Sequence, residues 1–156
     1  MLTKIILLLT LIAYSVVVSQ PFMYILALKN TQLALGGSSY TEVRQLIDAN
    51  MRDTFKYVVY AVLLANLALV IVNLKAPLSV PFITALIAFI ALIVDILLMV
   101  KGSMPLNEVI NTWSPENYPV NWKDIRQQWF TVFQYRQIAN GIGFLSLLAG
   151  VVFSEK

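Results

Sequence analysis

The chain has 156 residues, of which 59% are hydrophobic and 12% charged, with a net charge of +3 at pH 7. A mean hydropathy of +0.77 is far above that of soluble domains and indicates a single-domain integral membrane protein. Cysteine and histidine are absent, which excludes disulfide chemistry, thiol catalysis, haem ligation by imidazole and the usual zinc or copper sites. The carboxylates lack metal-loop spacing and the basic residues flank apolar segments, so we expect no metal, no cofactor and no nucleic-acid partner.

The first apolar stretch runs from Leu2 to about Leu28 and is interrupted at Gln20 and Pro21. Its basic start, apolar centre and small Ser19 fit a signal peptide loosely. The alternative, which we expect, is a first transmembrane helix over residues 2–28 that is kinked at Pro21.

Residues 30–40 carry turn chemistry and predict the first connection, with a second helix over 41–74. The half before Lys56 is polar and is expected to stand outside the hydrocarbon, whereas Asn66 is expected to anchor an interhelical hydrogen bond. Asp48 and Arg52 form an i, i+4 pair that would contribute little if exposed. One face of this helix carries polar side chains at Gln45, Asp48, Arg52, Lys56, Asn66 and Asn73.

Two more long helices complete the predicted bundle. The third covers 80–101 and ends near Gly102 and Pro105, with a short helix near 105–113. The fourth covers 121–153, with Asn121 as its N-cap. The predicted fold is an all-α membrane protein, an up-down bundle of four transmembrane helices in which helices 2 and 4 extend beyond the bilayer.

The distribution of basic residues predicts the orientation. The side with both termini carries three of them, Lys4, Lys75 and Lys156. The long-loop side carries eight: Lys29, Arg44, Arg52, Lys56, Lys101, Lys123, Arg126 and Arg136. The positive-inside rule therefore predicts cytoplasmic long loops and both termini outside, and we expect a bacterial cytoplasmic membrane.

Asp95 lies within residues 80–100, a stretch of 21 residues that is otherwise apolar apart from Thr84. An ionisable group inside a membrane-spanning segment is costly and usually has a partner or a task. The available cationic partners are Arg52, Lys56 and Arg136. Asp95 is either half of a buried ion pair that fixes helix register or a catalytic base, and both interpretations predict that it faces inward.

A stripe on the fourth helix faces one direction, because its members recur at spacings of three and four residues. It consists of Trp122, Arg126, Trp129, Phe133, Arg136 and Asn140. The stripe is either a packing face with interfacial tryptophans and snorkelling arginines or a binding surface. Arg136 stands at the threshold of the apolar segment, which favours an internal pair or a functional role.

The region from Gly102 to about Gly150 contains Met104-Pro105-Leu106-Asn107, Trp113, Asn121-Trp122, Arg126 and a Trp129-x6-Arg136 element. This arrangement resembles a family of small four-helix membrane proteins that includes the fungal and bacterial anthrone oxygenases. Many members carry a histidine three residues before the matching arginine, where this sequence has Phe133.

The resemblance implies cofactor-free oxidation of an apolar, electron-rich aromatic molecule by dioxygen. Under that reading Asp95 is the base, and Asn107 and Arg136 are the donors that stabilise the developing anion. The predicted ligand-binding residues are Trp122, Arg126, Trp129, Phe133, Asn140, Arg52 and Gln20.

The alternative is a binding or structural membrane protein, whose basic and aromatic end holds a lipid headgroup, a quinone-like molecule or a partner subunit. Transport has little support, because no inverted repeat is detectable. The fourth helix has small residues that would let helices approach closely, within one chain or in a homo-oligomer: Ala139, Gly141, Gly143, Ala149 and Gly150.

Overall fold

The computed structural model describes residues 2–154, which form four long helices in up-down order. The helices are α1 (Leu2–Ala34), α2 (Gly37–Asn73), α3 (Val80–Asn111) and α4 (Trp122–Phe153). Each is long and apolar enough to cross a membrane. The predicted all-α, four-helix membrane bundle is confirmed.

All four helices are longer than a bilayer requires, whereas the sequence predicted an extension beyond the bilayer only for helices 2 and 4. They contain 33, 37, 32 and 32 residues, or about 50 Å each at 1.5 Å per residue, against a hydrocarbon core of about 30 Å. Not only α2 and α4 but also α1 and α3 therefore extend beyond the hydrocarbon at the long-loop end.

The predicted ends of α1 and α3 were wrong, because both helices pass through their turn-like residues. The first continues through Lys29–Ala34, so that only Leu35 and Gly36 separate it from α2. The third continues through Gly102 and Pro105, and the predicted short helix is its last segment, Met104–Asn111. A π-helical turn, in which backbone hydrogen bonds span five residues, lies close to each of the prolines Pro21 and Pro105.

The two π turns lie near the same end of the bundle. Pro21 stands inside α1 just before the turn Tyr24–Leu28, and its carbonyl accepts a hydrogen bond from Gln137 Nε2 at 3.2 Å. The second turn, Met99–Ser103, directly precedes the segment that contains Pro105. The first helix therefore continues through Pro21, and a π turn follows this residue.

Asn121 is the N-cap residue of α4, as predicted, although its side chain makes no capping hydrogen bond. The prediction for Asn66 was wrong. Asn66 is completely buried, yet neither its amide nitrogen nor its oxygen has a hydrogen-bond partner. It is therefore not the interhelical anchor that its position predicted.

Close packing joins α3 to α4, the most extensive helix pair in the bundle. A Cβ on Gly102 would lie 2.6 Å from Val132 Cγ1, and one on Gly143 would collide with the Tyr14 hydroxyl. These glycines serve approaches within the chain, whereas Gly141 faces open space. The helices α2 and α3 pack against each other less extensively.

Candidate functional site

A cavity of about 690 Å³ lies between α2 and α3 in the long-loop half of the bundle. Tyr60 and Val100 line it from opposite helices while being 58% and 49% exposed, so the cleft opens sideways on the outer surface. Side chains of α1 and α4 form its inner wall. Six of the predicted site residues line the cavity: Gln20, Arg52, Asn107, Trp129, Phe133 and Arg136.

Asp95 faces inward and forms a buried ion pair with Arg136, as one of the two interpretations predicted. Arg136 donates from Nε to Asp95 Oδ1 at 2.7 Å and from Nη2 to Oδ2 at 3.4 Å. The two side chains are only 8% and 2% exposed. Arg52 and Lys56, the other candidate partners, pair with carboxylates of their own helix. Asp95 does not line the cavity, because Arg136 stands between them.

Asp48 lies at the centre of a hydrogen-bond network that joins three helices. Its Oδ1 accepts from Asn107 Nδ2 at 2.7 Å, and its Oδ2 accepts from Asn111 Nδ2 at 2.8 Å and from Arg52 Nη2 at 2.9 Å. Trp129 Nε1 donates to Asn107 Oδ1 at 2.8 Å. Both polar ends of the Asn107 amide are thus engaged within the protein, so this residue positions Asp48 and Trp129.

Arg44 was overlooked by the sequence analysis, which counted it only as a basic residue of the long-loop side. It lines the cavity, is 5% exposed, and its guanidinium carbon lies 4.0 Å above the ring centre of Trp129. Its Nη1 donates to the Tyr24 hydroxyl at 3.1 Å, whereas its buried Nε has no hydrogen-bond partner. The available signal was its spacing, since Arg44, Asp48 and Arg52 are four residues apart and share one helix face.

An aromatic wall continues from Arg44 to Arg136. The rings of Trp129 and Phe133 are stacked, with centroids 4.8 Å apart and an interplanar angle of 14°. The Arg136 guanidinium carbon lies 5.6 Å from the Phe133 centroid, and that of Arg44 lies 4.0 Å from the Trp129 centroid. Each of the two stacked rings therefore has one cation near it, an arrangement that cation–π attraction stabilises.

Trp122, Arg126 and Asn140, three of the predicted ligand-binding residues, lie outside the cavity lining. Arg126 Nη1 donates to the main-chain carbonyls of residues 32, 33 and 35 at 3.0, 3.2 and 3.2 Å. It thereby satisfies the free carbonyls at the end of α1 and stacks on Trp122 at 4.6 Å. Asn140 Nδ2 donates to the Arg136 carbonyl at 3.0 Å. One part of the stripe on α4 therefore lines the cavity, and the other part makes structural contacts.

The fold and the site define a four-helix integral membrane protein with a polar and aromatic cavity at one end of its bundle. Within residues 2–154, no group of three or more histidine, cysteine or acidic side chains is placed to hold a metal ion. Comparisons of the chain with protein-family models, with curated proteins and with solved structures find no match. The resemblance to the anthrone oxygenases stays a prediction.

Proposed function

We propose that the protein binds an elongated, largely apolar molecule that enters from the bilayer through the cleft between α2 and α3. The observation that carries this proposal is the cavity itself. Its volume of about 690 Å³ falls within the usual range for ligand sites, about 300–1,000 Å³. The part of the cavity farther from the long loops is apolar and includes Val59, Leu63 and Ile96. Its polar groups lie at the other end, near Asp48.

The contacts of Asp95 support binding rather than catalysis as the primary proposal. A base for proton abstraction must lie within hydrogen-bond reach of the substrate. Asp95 is buried in its pair with Arg136 and does not line the cavity. The roles of base and anion-stabilising donor that the resemblance implied for Asp95 and Asn107 therefore lack geometric support.

Cofactor-independent oxygenation is a second proposal, supported by the position of Asp48. This carboxylate lines the cavity with the Trp129–Phe133 stack. In that reaction a base takes a proton from a ring methylene, dioxygen accepts the electrons, one oxygen atom becomes the product carbonyl, and the other leaves as water. Oxygen uptake with anthrone should then exceed the uncatalysed rate and fall in Asp48→Asn. Equal uptake with and without the protein would contradict this second proposal.

The binding proposal is tested by narrowing the cleft with a bulky residue. Val100 lines the opening, whereas Leu97 is similarly exposed on the same helix, at 50%, but outside the cavity lining. Wild type, Val100→Trp and the control Leu97→Trp are purified in a mild detergent, and their small apolar molecules are extracted and quantified per protein. We expect Val100→Trp to lose a molecule that the other two retain. Equal amounts in all three proteins would contradict the proposal.

A further inference from the structure

Arg44 is a buried cation without an acidic partner. It is 5% exposed, and within residues 2–154 no carboxylate oxygen lies within 4.0 Å of its guanidinium nitrogens. Within the described part of the chain, its hydrogen bond goes to the Tyr24 hydroxyl and not to a carboxylate. Stacking on Trp129 attracts the charge but supplies no acceptor for the buried Nε. Buried charges in proteins are normally paired with charges or coordinated, so this arrangement calls for an explanation.

The other charges around the cavity are balanced within the protein. Each of its three other cations has a carboxylate partner: Arg52 with Asp48 at 2.9 Å, Lys56 with Asp53 at 3.6 Å, and Arg136 with Asp95 at 2.7 Å. Asp48 is satisfied further by two asparagine amides. One unmatched positive charge remains on the cavity wall, and Arg44 carries it.

The position of Arg44 is fixed by its neighbours. The Trp129 ring holds the plane of the guanidinium from one face, and the Tyr24 hydroxyl holds Nη1. Tyr24 is itself held by the Phe133 ring, with centroids 4.5 Å apart. Because Nε is completely buried, the donors of this fixed guanidinium that a carboxylate or phosphate in the cavity would meet are those of its Nη groups.

Below Arg44 the cavity provides room for an apolar tail. From Asp48 to Leu63, α2 lines it over about 22 Å at 1.5 Å per residue. Phe55 and Val59 face it from α2, and Ile96 faces it from α3. A molecule with its head at Arg44 would therefore lay its tail along apolar side chains toward the centre of the bilayer.

We propose that Arg44 forms the subsite for an acidic oxygen group, a carboxylate or a phosphate, at the head of an apolar ligand in this cavity. The inference rests on the proposed binding function and names its ligand class. It assigns one role to two features of the cavity, an unmatched buried cation at its polar end and an apolar lining further along it.

Native mass spectrometry of the detergent-solubilised protein tests this assignment with matched probes. Palmitate and methyl palmitate have the same tail and differ in charge, and phosphatidylglycerol and phosphatidylcholine make the same comparison for phospholipids. Inorganic phosphate added as a competitor distinguishes a free anion from a lipid head. The variants are Arg44→Gln, the charge-retaining Arg44→Lys, and the control Lys123→Gln, which removes an exposed cation outside the cavity.

We expect wild type to bind an acidic probe at least about tenfold more tightly than its neutral or zwitterionic match, which corresponds to about 1.4 kcal/mol, since hydrogen bonds to charged groups are stronger than those between neutral groups. Arg44→Gln should remove this preference, while Arg44→Lys should keep part of it and Lys123→Gln all of it. Displacement of palmitate by inorganic phosphate would support the subsite and identify a free anion as a sufficient ligand.

The measurement in wild type does not depend on whether a variant folds. Equal binding of palmitate and methyl palmitate, reduced for both by Val100→Trp, would overturn the acidic-head assignment and leave the binding function standing. If Val100→Trp reduces the binding of none of the probes, the binding function is contradicted as well. Retention of the full preference in a folded Arg44→Gln would overturn the role of Arg44.

Discussion

Breaking the Asp95–Arg136 pair from one side should destabilise the protein strongly. Asp95→Asn leaves the Arg136 guanidinium, whose side chain is 8% exposed, without its carboxylate. At an effective dielectric constant of about 20, two unit charges about 4 Å apart attract by about 4 kcal/mol. The remaining cation also stays desolvated, and loss of one partner from a buried pair typically costs about 3–5 kcal/mol. We expect a loss of that size in the free energy of unfolding.

Unfolding by sodium dodecyl sulfate in mixed micelles, followed by tryptophan fluorescence, measures this loss. The double variant Asp95→Leu/Arg136→Met removes both charges and should recover most of the stability, because paired charges are costly to bury. Asp53→Asn is the control, since its pair with Lys56 is exposed and should contribute less than about 1 kcal/mol. A comparably small loss in Asp95→Asn, or a double variant as unstable as the sum of the singles, would refute the argument.

Two further predictions concern packing and helix ends. Gly102→Ala should destabilise the bundle by about 1–3 kcal/mol, because the added Cβ would press on Val132. Gly141 faces open space, so Gly141→Ala should stabilise the helix by up to about 1 kcal/mol in the same unfolding assay. Equal effects of the two substitutions would contradict this packing. Arg126→Gln should speed amide hydrogen exchange at the end of α1, where it holds three carbonyls, while Lys123→Gln should not; unchanged exchange in Arg126→Gln would remove that role.

The inward direction of Asp95 could be predicted because a carboxylate in an apolar segment is energetically costly when it faces lipid. Its partner could not, since Arg52, Lys56 and Arg136 all stand near the same membrane level. The choice depends on the small residues that bring α3 against α4, where Gly102 allows close contact. Sequence spacing describes faces of single helices and does not report which two faces meet.

The ends of α1 and α3 were missed for a related reason. Local turn preferences are weak, and tertiary contacts can override them. The polar segment after Leu28 is helical, and Arg126, almost a hundred residues later in the chain, caps it by donating to its carbonyls. A π turn, Met99–Ser103, directly precedes the segment that contains Pro105. Both effects depend on partners distant in sequence or on backbone hydrogen bonding that composition does not encode.

The roles of Arg44 and Asp48 could not be predicted, because they depend on contacts with other helices. Asp48 looked like half of a surface i, i+4 pair, yet it gathers donors from Arg52 and from two asparagines of α3. Gln45 adds another tie by donating to the Ile110 and Trp113 carbonyls at 3.0 and 2.9 Å. These contacts hold α2 and α3 together at one end.

The position of the cavity follows from these ties. A short connection joins α2 to α3 at the opposite end, at residues 74–79, so the two helices are held at both ends with the cleft between them. A slot held in this way can admit a molecule from the side without separating the helices. Because each other cation on the wall of the slot has a carboxylate partner, the charge of Arg44 lies where the head of a bound molecule would come to rest.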